Sequence, residues 1–233
     1  MSDTVIRQMC HLHKDTRPDL MFEKMDATRT TFEDEAFNVV LDKGTLDAMM
    51  PDESEEVMAN VESLFEEISR ILKLGGRYIC ISLLQPHILS KLVEWFVDHG
   101  WPIRILRCLD AELAKPPEER IFPVFAIIMT KFRKMAAMVP LLEISLGSGQ
   151  GHMTRLKKSA DLVGSVRGIQ QFAAVRAGIA KNQFFHCDDA RQADVSLDLL
   201  TPGSEVPRYS FYLVDRDPPH DIPYAVFIVP QGR

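Results

Sequence analysis

Hydrophobic positions alternate along the chain between strand-like and helix-like spacing, and their order is the first thing the sequence yields. Residues 2–10, SDTVIRQMC, set Val5, Ile6 and Met9 at helical spacing behind Ser2, a residue suited to cap a helix start. LMFEKMDAT (20–28) and FNVVLDKGT (37–45) predict two strands that end at Asp26 and Asp42, joined by the charged FEDEAF. From Pro51 to Leu74, residues Val57, Val61, Leu64, Ile68 and Leu72 line one face of a helix, with acids at its positive end and with Gly75 and Gly76 expected to stop it. RYICISLL (77–84) follows as a strand. Residues 37–84 therefore predict a strand-helix-strand unit of the right-handed parallel kind, which sets the class as α/β.

Beyond that unit, ILSKLVEWFVDHG (88–100) predicts an amphipathic helix ending at Gly100, IRILRCL a strand, AELAKPPEER a charged loop, and FPVFAIIMTKF (122–132) another strand. A ten-residue loop without a helix is too short for a parallel crossover, so the last two strands are expected to run antiparallel. After about residue 135 the pattern changes. TRLKKSADLVGSVRGIQQFAAVRAGIAK is mostly helical, and DVSLDLL, RYSFYLVD and YAVFIVP predict short strands separated by the turns TPGSEVP and DRDPPHDIP.

Composition narrows the picture without identifying it. With 46% hydrophobic and 26% charged residues the chain has the makings of a packed core, and a net charge of -6 argues against a surface built to coat nucleic acid. No direct nucleic-acid partner is expected. Cys10, Cys80, Cys108 and Cys187 are scattered, without the pairing of a disulfide framework or a zinc site, which fits a reducing compartment. The longest apolar run, IFPVFAIIM, is far short of a membrane span, and no secretory signal opens the chain. A cytoplasmic location is the expectation. CHLH (10–13) and HCDD (186–189) offer single clusters of metal-ligand types with no second pair at suitable spacing, so no metal site is assigned. Trp95 and Trp101 are read as packing residues, and TRLKK (154–158) as a solvated helix start.

Asp26 and Asp42 are candidates for more than turns, because open parallel sheets bind ligands at the carboxyl edge of their strands. VVLDKGTLDAMM (39–50), followed by an acidic helix and GGRYICISL, resembles the seven-stranded S-adenosylmethionine-dependent methyltransferases. VIRQM (5–9), KMDATRTTF (24–32), FNVVLDKGTLDA (37–48), LKLGGRYICISLLQPHIL (73–89), FPVFAIIMTKF (122–132) and YAVFIVPQGR (224–233) extend the resemblance over nearly the whole length. They are most similar to the methyltransferase-like protein 13 family, whose dual-domain members methylate translation elongation factor 1-alpha.

The resemblance implies S-adenosyl-L-methionine as cofactor and elongation factor 1-alpha as protein substrate. It gives Asp26 the adenine amino group and Ala27 a backbone N–H to a ring nitrogen, and places Asp42, Lys43 and Gly44 beside the methionine and the target pocket. Methyl transfer depends chiefly on alignment, so no general base is nominated. The implied fold is a partial Rossmann-like seven-stranded sheet lacking its first two strands. Residues 1–135 would be the C-terminal part of one methyltransferase domain, 136–192 a mostly helical linker, and 193–233 the opening strands of a second, spermidine-synthase-like domain.

The family's first strand, glycine-rich loop and second strand are then expected upstream of Met1, leaving the chain incomplete for cofactor binding. LLEISLGSGQGH (141–152) imitates that loop, but Glu143 stands four residues before Gly147 and the next acid-ended apolar segment, QFFHCDD, lies beyond a long helical stretch. It is read as linker. Without the missing strands FNVVLD would present an apolar edge, which predicts self-association through exposed strand edges. The alternative function is a non-catalytic protein-interaction module, a short isoform or truncated gene model.

Overall fold

The computed structural model describes residues 3–115, 122–134, 140–147, 153–181, 196–200, 207–215 and 224–229. The chain forms two compact units, Met1–Leu106 with Phe125–Leu141, and Arg107–Val124 with Leu142–Arg233.

In the first unit helix α1 (Asp3–His13) precedes β1 (Phe37–Lys43), the short α2 (Thr45–Met49), α3 (Glu55–Ile71), β2 (Leu72–Ser82), α4 (Pro86–Asp98), β3 (Ile103–Arg107) and β4 (Phe125–Thr130), with sheet order β1-β2-β4-β3. Strands β1 and β2 are parallel, so the predicted crossover is present, with α3 as its helix. Strand β4 runs antiparallel to β2. Thr130 N donates to Pro102 O at one end of the β3/β4 pair and Cys108 N to Val124 O at the other, which makes that pair antiparallel as expected.

Helix α3 buries Val61, Leu64, Phe65, Ile68 and Ile71, the face that the spacing outlined. It ends earlier than its glycines suggested. Leu72 leaves the helix directly for extended backbone and begins β2, so Gly75 and Gly76 lie inside that strand. Burial of Leu72 and its pairing with Phe37 make the extended conformation the better use of the chain there. At Gly76 a Cβ would meet Lys73 O at 2.8 Å and Asn38 O at 3.1 Å, so the missing side chain permits the close approach of β1. Phe65, Tyr78, Phe96 and Trp101 form an aromatic core, with ring centroids 5.0 Å apart for Phe65 and Phe96 and 5.1 Å for Phe96 and Trp101. Trp95 and Trp101, 8% and 2% exposed, are packing residues as read.

The strand predicted at 20–26 is not formed. Met21 to Asp26 run without regular structure, and no neighbouring strand among the described residues supplies the ladder that an isolated extended segment needs; Leu20 and Met21 stay exposed. Helix α1 appears where expected and runs three residues further, to His13, carrying Cys10, His11 and His13.

The second unit holds α5 (Leu109–Leu113), β5 (Leu142–Ser145), β6 (Thr154–Leu156), α6 (Ser159–Lys181), β7 (Ser196–Leu200), β8 (Pro207–Asp215) and β9 (Tyr224–Val229). Part of the supposed charged loop is helix α5, whose Glu112 takes Arg107 at 2.7 Å and the Val124 N–H at 3.0 Å. The stretch read as mostly helical linker contains α6 but also the antiparallel pair β5/β6, in which Glu143 faces Arg155. The three predicted strands are present as β7, β8 and β9, and they pair into an antiparallel sheet. Their turns, and HCDD, lie outside the described residues.

Candidate functional site

The carboxyl ends of β1 and β2 are tied together by carboxylates. Asp42, 7% exposed, accepts at Oδ1 from Thr45 N (2.7 Å) and at Oδ2 from Leu46 N (3.1 Å) and the Tyr78 hydroxyl (2.8 Å). It therefore caps α2 and fastens that helix to the buried Tyr78 of β2. Both oxygens are engaged by the chain itself. Burial raises the Tyr78 hydroxyl, and also the Cys80 thiol beside it, well above their ordinary ranges, with the Asp42 charge adding to both.

Lys43 is exposed, and Gly44 turns the chain from strand into helix at φ 74 with its N–H on Ile81 O. No atom lies within 4 Å of the place a Gly44 Cβ would take, so the glycine serves the backbone angle and leaves open space beside the turn.

Asp26 is a different kind of residue. Its Oδ1 accepts from Thr28 N (2.9 Å) and Thr28 Oγ1 (2.8 Å) in a local turn, and these bonds lower its carboxyl below the usual range. The side chain is exposed, as is Ala27. Among the described residues no hydrogen bond or ion pair joins Asp26 or Ala27 to Asp42, Lys43 or Gly44. Sequence spacing thus located two separate elements, of which the structure ties only the second to the sheet.

Two participants escaped the sequence reading. Asp47 on α2 accepts at Oδ1 from Ser82 Oγ (2.9 Å) and Leu83 N (3.2 Å), joining α2 to the exit of β2. Ser82 Oγ in turn accepts from Leu84 N (2.8 Å). Asp47 stands in the same VVLDKGTLDAMM stretch as Asp42, and a second acid just after a helix start was the available signal.

A cleft of about 560 Å³ elsewhere in this unit is lined by Asp34, Glu35, Glu66, Arg70, His99 and Lys131 among others, none of them a nominated residue. Its charges are largely spent on each other: Arg70 pairs with Asp34 (2.6 Å) and Glu67 (2.7 Å), and Lys131 with Glu35 (3.7 Å). The glycine stretch at 147–151 connects two antiparallel strands, β5 and β6, whereas a phosphate-cradling loop leads from a strand into a helix; residues 148–152 lie outside the described residues. No group of three His, Cys, Asp or Glu able to hold a metal occurs among the described residues, and no helix among them is long and apolar enough to cross a membrane.

A family described as a methyltransferase domain matches residues 2–80. The eEF1A lysine and N-terminal methyltransferase homolog of Drosophila pseudoobscura pseudoobscura is 42% identical over 238 residues, covering 100% of this chain and 34% of that protein. The eEF1A lysine and N-terminal methyltransferases of Homo sapiens and Xenopus laevis are 38% and 36% identical, again over 100% of this chain and 33% of theirs. The chain spans about a third of the length of these curated relatives. A solved S-adenosylmethionine-dependent methyltransferase from Methanosarcina mazei matches with TM-score 0.39 and 14% identity, over 57% of this chain and 80% of that one. Over its whole length the chain is similar to a third of each of these three eEF1A lysine and N-terminal methyltransferases.

Proposed function

We infer that the chain is part of a cytoplasmic, S-adenosyl-L-methionine-dependent methyltransferase of elongation factor 1-alpha. The observation that carries this reading is its 36 to 42% identity to such enzymes over its whole length. Residues 1–135 act as the C-terminal part of a methyltransferase domain, 136–192 as a mostly helical linker and 193–233 as the opening strands of a second domain. When bound, the cofactor supplies an activated methyl group on sulfur. Asp26 accepts the adenine amino group and the Ala27 N–H meets a ring nitrogen, a task suited to an exposed, ionised carboxylate. Lys43 and Gly44 line the methionine side, where the open space at Gly44 leaves room. Asp42 contributes by holding the loop, since its oxygens are already engaged.

One observation favours a second reading, a non-catalytic interaction module. Val39 and Leu41 on the sheet-edge strand β1 are 50% and 65% exposed, an apolar strip suited to self-association. Calorimetric titration with S-adenosylmethionine separates the two. Binding that Asp26→Ala weakens about tenfold, and that Glu66→Ala in the other cleft leaves alone, supports the enzyme. Concentration-dependent sedimentation abolished by Leu41→Lys supports the module.

A further inference from the structure

The amino end of β2 carries a feature that strand pairing alone does not require. While β1 advances from Phe37 to Val39, β2 advances from Leu72 to Arg77, so Lys73 to Gly76 form a bulge in the ladder. Gly75 makes the bend at φ 80. Its N–H donates to Lys131 O (2.9 Å), and Lys131 N donates to Gly76 O (2.8 Å), which ties the bulge to the chain leaving β4. Bulges re-aim side chains and are built into a sheet for that purpose. Here Leu74 is left 49% exposed on the bulge, and Phe132, beside the tie, is 46% exposed.

Single apolar side chains at the surface are ordinary. The setting of these two is not. KLGGR (73–77) and KFRK (131–134) hold five cations and no acid, in a chain whose net charge is -6. Lys131 is engaged by Leu72 O (2.7 Å) and Glu35 (3.7 Å). Lys73, Arg77, Arg133 and Lys134 are exposed and make no ion pair among the described residues. An anion laid across the two runs meets unopposed charge, and an apolar group on it covers Leu74 and Phe132. The surroundings limit its breadth. Asp34, Glu35 and Glu66 line the cleft that Lys131 borders, so a membrane or a nucleic-acid backbone would press its own negative charge on those carboxylates. A narrow chain following 73–77 and 131–134 would not.

We propose that the β2 bulge and the 131–134 run form a docking surface for an acidic peptide segment of a partner protein, one with apolar side chains set between its acids. The surface lies at the other end of β2 from Ser82 and the Asp42 loop. It stands whether or not the methyltransferase reading does.

The test is an amide-shift titration of the ¹⁵N-labelled chain with the peptide acetyl-Glu-Glu-Asp-Phe-Leu-Glu-Glu-Asp-amide. Saturable shifts centred on 73–77 and 131–134 are expected, weakening as salt is added. The same peptide with Ser in place of Phe and Leu should bind about tenfold more weakly. Arg133→Glu combined with Lys134→Glu should abolish the response, and Leu74→Ser should weaken it about tenfold. All three residues are exposed, so the amide pattern of α3 should stay as in the parent. Failure to saturate at millimolar peptide overturns the proposal, as do equal binding of the two peptides and unchanged binding by the folded variants. Tighter binding to phosphatidylserine vesicles or to oligouridylate overturns it too, and gives the surface to a membrane or to RNA. The peptide, vesicle and oligonucleotide outcomes are read on the unsubstituted chain and hold even if a variant fails to fold.

Discussion

The two ends of the β1/β2 pair handle their charged groups in opposite ways. At the amino end Glu67, 8% exposed, accepts from the Thr30 N–H (2.9 Å) and hydroxyl and from Arg70 Nε (2.9 Å) and Nη2 (2.7 Å), while Arg70 also reaches Asp34. Every contact there closes on the chain. At the carboxyl end Asp42 is likewise closed, but Asp47 Oδ2 has no donor among the described residues, Gly44 borders open space, and Leu84 stands at φ 51. A polar cluster that satisfies itself is a fastening; one with an unsatisfied member is where a ligand has something to gain. The cleft of about 560 Å³ sits with the fastening, where the charges are already paired with one another.

The comparison breaks most readily at Asp42. Asp42→Ala removes the α2 cap and leaves the fully buried Tyr78 hydroxyl without its acceptor, so a loss of about 3 kcal/mol is expected in urea denaturation. Adding Tyr78→Phe should restore part of it, because the stranded hydroxyl goes too; strictly additive losses would mean the two groups are not coupled.

The amino-end knot should announce itself through pH. Hydrogen bonds from Arg70 chiefly, then from Thr30, bring the Glu67 carboxyl to about 2 from its ordinary 4.5, against the opposing effect of burial. A lowered carboxyl means that the folded chain holds its proton less tightly than the unfolded one. The stabilisation is therefore complete above pH 4.5 and is lost as pH falls from there towards 2. Because Arg70 is one-third exposed, about 2 kcal/mol is a fair size for it. Denaturation midpoints between pH 5.5 and 2.5 should show the slope in the parent, and Glu67→Gln should flatten it.

The smallest effect belongs to Gly44. With open space around the missing Cβ, Gly44→Ala meets only the backbone penalty of φ 74, about 1 kcal/mol in thermal or urea unfolding. A much larger loss would show that the space beside the turn is filled.

Much of the fold was legible because it follows local periodicity. The apolar face of α3, the helix α4 with Gly100 at its end, and the strands β1, β2, β4, β7, β8 and β9 each repeat at the spacing of their element. Errors arose where a partner decides. The 20–26 segment has the letters of a strand and no ladder to join, and Gly75 and Gly76 look like a helix stop only until Leu72 pairs with Phe37. Among site residues, Asp26 and Asp42 read alike as acids at strand ends. One proves to be an exposed turn residue and the other a buried cap, a difference that lies in Thr28 beside the first and Tyr78, thirty-six residues distant, beside the second.

By itself the sequence determined the α/β class, the parallel crossover, the order of elements and the family to which the chain is related, since all of these are carried by short-range spacing and by matched stretches of residues. Only the tertiary structure decided which carboxylates are already satisfied. Hydrogen bonds such as Tyr78 to Asp42 and Ser82 to Asp47 join residues far apart in the chain, and a buried acid shows itself as fastening or receptor only when every donor around it is in place.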